Sequence, residues 1–147
     1  MIEMILTNEF VKTNVECSDW KSAIHEGILP LLEKGYIENR YEGAIKANFE
    51  KMGTYMVIAP GVVLSHARPE DGVRKLGMSI INLKEGINFG HETNDPVHLV
   101  ITLAAVDNTS HLELLKELMG ILMDEDKLNT LKFEKNKETL LSALEIK

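Results

Sequence analysis

One cysteine, Cys17, is all the sulfur chemistry this 147-residue chain offers beyond methionine, which excludes a disulfide framework and a zinc site built on thiolates. Its opening, MIEMILTNEF, lacks a basic segment ahead of a sustained apolar run, so it does not read as a secretory signal. No apolar stretch reaches the ~18 residues that cross a bilayer. Positive charge is scarce. Sixteen Lys and Arg stand against 23 Asp and Glu, a formal charge of -7, which argues against nucleic acid or an anionic membrane surface as the main partner. No Gly/Ser linker, low-complexity tract or internal repeat divides the chain, so a single domain over residues 1–147 is expected. The G-x-S-x-G elbow, the GxxxxGK[ST] phosphate loop and the GxGxxG fingerprint are all missing. What remains is a small acidic domain, 44% hydrophobic and 27% charged. At that size folding removes roughly 70% of the chain's surface from water, so no metal or covalent staple is needed. A reducing cytoplasm is its expected location.

The pattern along the chain is helix, then strand, then helix. From Ser18 to Lys34, Trp20, Ile24, Ile28, Leu31 and Leu32 recur at helical steps, with Ser18 and Asp19 as caps and Gly35 as the stop. Pro30 inside that run is expected to kink or split the helix. A second helix, from Glu38 to Met52, places Tyr41, Ala44, Ile45, Phe49 and Met52 on one face. The period then changes. Tyr55 to Ala59, Val62 to Leu64 and Leu76 to Leu83 are strand candidates, the first two separated by the turn signal Pro60-Gly61. Val97 to Val106 is a near-continuous apolar run, the signature of a strand covered on both faces. A helix from Ser110 to Met123 follows, then shorter helices over 124–131 and 137–144. The expected architecture is α/β, with a mixed β-sheet flanked by helices on both faces.

Chemistry is sought first among five histidines. His25 lies off the apolar stripe of its helix and reads as solvated. His91, Glu92, Asp95 and His98 fall together, but not at the i,i+4 spacing of a helical metal motif, and read as a polar loop. Cys17 precedes a helix start, a position that stabilises a thiolate, yet no base is identifiable near it. Asn108-Thr-Ser110 matches a glycosylation sequon that a chain without a secretory signal does not present to that machinery.

His66 ends a strand and enters a turn-rich loop, where functional groups concentrate. Arg68 lies two residues on, and Arg74 and Lys75 are near in sequence. Together they form either an anion site, since Arg offers a bidentate fork to phosphate, or a surface loop neutralised by Glu70 and Asp71. His111 sits in Ser110-His-Leu-Glu113, which fits a capping box with Ser110 as N-cap and His111 as the first helical residue. The orphan N–H groups and dipole there favour an anion and a neutral imidazole; the plainer alternative is a polar first-turn histidine.

The segment Ala59-Pro-Gly-Val-Val-Leu-Ser-His66-Ala-Arg-Pro-Glu-Asp-Gly-Val73 resembles the phosphohistidine signature of a known family. These are the mannitol/fructose-type (type-2) EIIA domains of the bacterial phosphoenolpyruvate-dependent sugar phosphotransferase system, and the segment resembles their ascorbate branch in particular. Trp20 to Gly35, Tyr41 to Gly53, Phe89-Gly90 and Asp107 to Leu122 also fall where that pattern expects them, so most of the chain is covered. The resemblance implies that His66 accepts a phosphoryl group, that His111 hydrogen-bonds its oxygens, and that neither metal nor cofactor takes part. It implies the phosphocarrier HPr as donor, a cysteine of EIIB as acceptor and the membrane component EIIC as an indirect partner. A homodimer is left open, and the sugar is chosen elsewhere in the system. A regulatory EIIA-like domain, whose phosphorylation state controls a partner, would carry the same two histidines. Two positions depart from the pattern. Ser65 stands where a proline usually precedes the acceptor, and Phe49 stands where mannitol-type members carry a phosphate-binding arginine. Arg68 is the candidate replacement, with Ser65 beside it as a phosphate ligand. Val63, Leu64 and Met78 are expected to form an apolar docking rim.

Overall fold

Short β-prone runs in the middle of the chain assemble into one mixed sheet in the computed structural model, which describes residues 2–144. The outermost positions of the expected 1–147 domain lie outside the described residues. Five strands, β1 (Val11–Val15), β2 (Val57–Ala59), β3 (Val62–Ser65), β4 (Gly77–Ile87) and β5 (Val97–Ala104), lie in the order β1-β4-β5-β3-β2. β1 runs parallel to β4 and β3 parallel to β5, whereas β4–β5 and β2–β3 are antiparallel. Six helices accompany them: α1 (Ile2–Ile5), α2 (Trp20–Glu33), α3 (Arg40–Met52), α4 (Asn108–Leu122), α5 (Glu125–Phe133) and α6 (Lys137–Ala143).

Alternation along β4 shows why the sheet is covered twice. Ser79 donates its hydroxyl to the Gly27 carbonyl on α2, while the Asn82 amide reaches the Leu131 and Glu134 carbonyls at α5. Odd and even residues of a strand point to opposite faces, so α2 and α5 lie on opposite sides of the sheet. The α/β layering expected from the sequence is therefore present. A β-carbon on residue 27 would stand 2.7 Å from Thr102 Oγ1, so glycine at that position is what lets α2 approach β5 so closely.

The boundaries differ from expectation where tertiary packing or a cap decides. Asp19 caps α2 by accepting from the Ser22 N–H at 2.8 Å, and Ser22 returns the bond. Pro30 neither splits nor ends that helix. Ile24, Gly27, Ile28 and Leu31 bury its face against the sheet, and that packing offsets the one backbone bond the proline removes. β1 is absent from the sequence expectation because Val11–Val15 is a short, half-buried edge strand with weak alternation, interrupted by Asn14 at φ 56°. β4 runs on to Ile87, beyond Leu83, through the exposed pair Lys84 and Glu85. β5 stops at Ala104, which leaves Val106 exposed.

Candidate active site

The parallel neighbours β3 and β5 bring their C-terminal ends to one edge of the sheet, the usual location of ligand crevices in α/β folds. His66 follows β3 directly, and β5 leads through Asp107 into α4, which carries His111. The two imidazole rings lie with centroids 5.8 Å apart and planes inclined by 51°. They line a cleft of about 290 Å³ that opens to solvent. Asn48 and Met52 of α3, Tyr55, Arg68 and Asn108 complete its walls.

His66 is half-buried, and its Nδ1 lies 3.0 Å from the Leu64 carbonyl oxygen. A carbonyl can only accept, so Nδ1 carries a proton, and in the neutral ring the lone pair is on Nε2. Tyr55 meets the ring edge-on at a centroid distance of 6.0 Å. His111 is held below the ordinary imidazole pKa, first by burial and second by the neighbouring His66. It is therefore neutral near pH 7, with one N–H to give and one lone pair to accept.

Residues 4–146 match the family described as "Phosphoenolpyruvate-dependent sugar phosphotransferase system, EIIA 2". The chain belongs to that EIIA family. It is similar to the ascorbate-specific EIIA component of Salmonella typhi, 35% identical over 144 residues that cover 97% of this chain and 94% of the relative. The corresponding component of Escherichia coli (strain K12) is 33% identical over the same shares. Among solved structures, the mannitol-specific cryptic enzyme IIA CmtB of E. coli superposes with a TM-score of 0.88 at 32% identity, covering 98% of each chain. The enzyme IIAMtl in the complex of that protein with phosphorylated enzyme IIBMtl from E. coli has a TM-score of 0.81 at 27% identity, covering 93% of this chain and 94% of that one.

Within this EIIA the start of α4 is built differently from the sequence expectation. Asp107, not Ser110, is the N-cap, accepting from the Ser110 N–H at 2.7 Å, and the Ser110 hydroxyl also donates to it at 2.9 Å. Those bonds, led by the one from the Ser110 backbone, hold the Asp107 carboxyl below its usual range. Ser110 thus occupies the third helical position and His111 the fourth, with its N–H bonded to the Asp107 carbonyl at 3.2 Å. The protein's own carboxylate fills the helix mouth that was expected to take an external anion. The neutrality of His111 comes from burial and from His66.

Arg68 does face the cleft. Its backbone N–H donates to Asp71 Oδ2 at 3.0 Å, which starts a 3-10 turn over Pro69–Asp71 and aims the chain away from β3. Arg74 and Lys75 do not join it. Arg74 lines a separate hollow beside Glu38, and Lys75 lies over the Tyr36 ring. Ser65 is fully buried, and its Oγ has no hydrogen-bond partner among the described residues. Its side chain belongs to the interior and not to the cleft wall. Phe49 is buried too, stacked on Trp20 at 4.5 Å and edge-on to Phe89 at 5.7 Å. The α3 residues that present themselves to the cleft are Asn48 and Met52, one helical turn apart.

The expected rim is also corrected. Val63, Leu64 and Met78 are buried in the sheet core. The exposed apolar groups at or next to the cleft are Met52 (55% exposed), Tyr55 (45%) and Leu112 (65%). Met52, expected on one face of α3 with Tyr41, Ile45 and Phe49, is exposed in the last turn of the helix, whereas those three are buried. Asn48, Tyr55 and Asn108 were missed as cleft residues.

The other histidines serve the scaffold. His91 Nδ1 accepts from the Thr93 and Asn94 N–H groups at 3.1 and 2.9 Å, and Asp95 accepts from Phe89 and Gly90 at 3.1 and 2.7 Å. Both side chains brace their own loop. His98 packs on Phe133 at 4.8 Å, and His25 meets Glu42 Oε1 at 2.8 Å instead of standing alone in solvent. Among the described residues no three His, Cys, Asp or Glu side chains are grouped as a metal site requires. Burial and then Glu26 push the Cys17 thiol up to about 11, so the helix start does not make it a thiolate.

Proposed function

We propose that this EIIA is the phosphoryl carrier of an ascorbate-type phosphotransferase system. The observation that supports this reading best is the pair of imidazoles 5.8 Å apart in a solvent-open cleft, one with its Nδ1 bound to a backbone carbonyl. His66 Nε2 attacks the phosphorus of phospho-HPr as the nitrogen–phosphorus bond to the donor breaks, and the donor histidine leaves with the electron pair. The phosphorylated ring of His66 keeps its Nδ1 proton and gains positive character, which the Leu64 carbonyl dipole stabilises. The covalent intermediate divides one transfer between two proteins into two easier steps. In the second step a cysteine thiolate of EIIB attacks the same phosphorus, and His66 recovers its lone pair.

Transfer of this kind is mostly positioning and charge stabilisation. His111, being neutral, donates its ring N–H to a phosphoryl oxygen, and Arg68 supplies the cation. Met52, Tyr55 and Leu112 give both partners an apolar landing surface around the reacting nitrogen. Such contacts stay at the small end of the interface range, since each partner must leave after one transfer. Ascorbate or a related acid is favoured as the transported compound by the ascorbate-specific relatives, and EIIC would take it up without touching this chain. A cytoplasmic location goes with those partners. Among the described residues no helix is long and apolar enough to cross a membrane.

The test is mass spectrometry after incubation with phosphoenolpyruvate, enzyme I and HPr. One phosphoryl adduct, lost in acid and passed on when an ascorbate-type EIIB is added, is the expected result. An unlabelled protein, or an acid-stable adduct, would overturn the reading.

A further inference from the structure

Tyr41 stands where β3 and β5 part. The two strands pair in register from Val62 opposite Leu99 to Ser65 opposite Thr102, and there the ladder ends. The next backbone groups in line are the Leu103 carbonyl and the N–H of Ala67, the residue after His66. Tyr41, fully buried on α3, sets its hydroxyl between them. It donates to the Leu103 oxygen at 2.7 Å and accepts from the Ala67 N–H at 3.0 Å. A phenol has one proton to give, and the shorter bond takes it; the Ala67 carbonyl is farther off, at 3.4 Å. Burial is the main reason its pKa is pushed up to about 12, so that proton stays in place across the physiological range.

We propose that Tyr41 is a positioning residue for phosphoryl transfer, its hydroxyl spliced into the β3–β5 ladder so that the two histidine-bearing ends are held apart at a fixed separation. The proposal rests on the carrier reading above. Packing alone asks only for the ring, since a phenylalanine would fill the same volume. The oxygen is needed because the strands have diverged and left a buried acceptor and a part-buried donor that are each bonded to the phenol instead of to one another. Left unpaired, the buried Leu103 carbonyl would bear the full desolvation penalty and the Ala67 N–H part of one, so without the hydroxyl the strand ends are driven to close up or to shift. Either movement displaces His66 through its peptide link to Ala67. It also alters His66's relation to His111, because the chain passes from Leu103 to the cap of α4 within four residues. Displacements of this size matter in a reaction that depends on alignment, where a misplacement of about 1 Å can cost on the order of a hundredfold.

Tyr41→Phe tests this. With phospho-HPr as donor, the rate at saturation should fall about tenfold or more, while KM stays within twofold, because the rim that meets the donor is untouched. Hydrogen exchange at the Ala67 amide should quicken in the same variant. A saturating rate within twofold of the parent, or a raised KM with an unchanged rate, would overturn the proposal. Should the variant fail to fold, the parent protein still decides: the Ala67 amide must be protected like those of the strand before it, and free exchange there would sink the clamp. A parent that takes no phosphoryl group overturns the carrier reading and this role with it. A labelled parent with an unimpaired variant overturns the role of Tyr41 alone.

Discussion

Two hollows draw on the segment 68–74, and the larger is chemically the quieter. About 490 Å³ lies beside Arg40 and Arg74, against about 290 Å³ between the histidines. In the larger hollow the Glu38 carboxylate stands 3.3 Å from Arg40 and 3.9 Å from Arg74, so the cations already have a countercharge. In the smaller one His66 Nε2 has no hydrogen-bond partner among the described residues, His111 is kept neutral, and Arg68 faces inward. Volume and arginine count point to the first; unsatisfied nucleophilic and donor groups point to the second. The proposed site is thus the hollow whose groups are held in place without being used up by their neighbours.

The sharpest way to break that contrast is to remove the proposed nucleophile. His66→Ala should abolish labelling by phospho-HPr while the far-ultraviolet circular dichroism is retained, since the side chain is half-exposed and makes a single hydrogen bond, to Leu64. An acid-labile adduct persisting in that variant would move the site elsewhere. His111→Ala should leave labelling intact but slow transfer by about a hundredfold, the size of effect typical of one lost donor to developing charge. A rate within twofold of the parent would remove His111 from the chemistry.

The same substitution has a pH signature. The folded state holds His111 below its ordinary value near 6.5, so the unfolded chain binds that proton more readily. This residue's contribution therefore makes stability rise with pH from the lowered value up to about 6.5, and flatten above it. In His111→Ala the rise over that window should shrink when denaturant midpoints are compared between pH 5 and pH 7. An unchanged slope would mean that burial and His66 do not suppress its charge.

How much of this was legible in the sequence depends on which force decides each part. The sheet and its two helical layers were, because apolar runs such as Val97 to Val106 and the stripe of α2 report burial directly. The position of His66, directly after a strand and at the start of a turn-rich loop, was legible too, and its proposed role rests on the signature around it. The cap of α4 was misplaced because Ser110 and Asp107 are both good caps three residues apart, and choosing between them requires knowing where β5 ends. The cleft wall was misjudged for a related reason. Val63, Leu64 and Met78 are near His66 in sequence or register but are buried in the core, while Met52 and Tyr55 lie more than ten residues before it in the chain and meet it only in the folded cleft. Tyr41 carried no usable signal, since a buried tyrosine in an apolar stripe says nothing about which backbone groups its hydroxyl will meet.

The finest test of the two hollows uses the arginines themselves. Arg68→Gln removes the one guanidinium that lines the cleft and keeps a donor of similar reach, so phosphoryl transfer should slow about tenfold, consistent with one charge-assisted contact worth roughly 1.5–3 kcal/mol exchanged for a neutral one of about 1. Arg74→Gln takes away a charge of the same kind only six residues along the chain. Its partner, Glu38, is itself partly exposed and still has Arg40 beside it, so the lost surface pair is worth at most about 1 kcal/mol of stability and transfer should remain within twofold. Measured side by side at two salt concentrations, the pair separates a local contact from a general field: a field acting on an acidic partner would slow both variants together and would fade with salt. Equal slowing of the two would mean that Arg68 acts as loop charge and that the distinction between the hollows is one of shape alone.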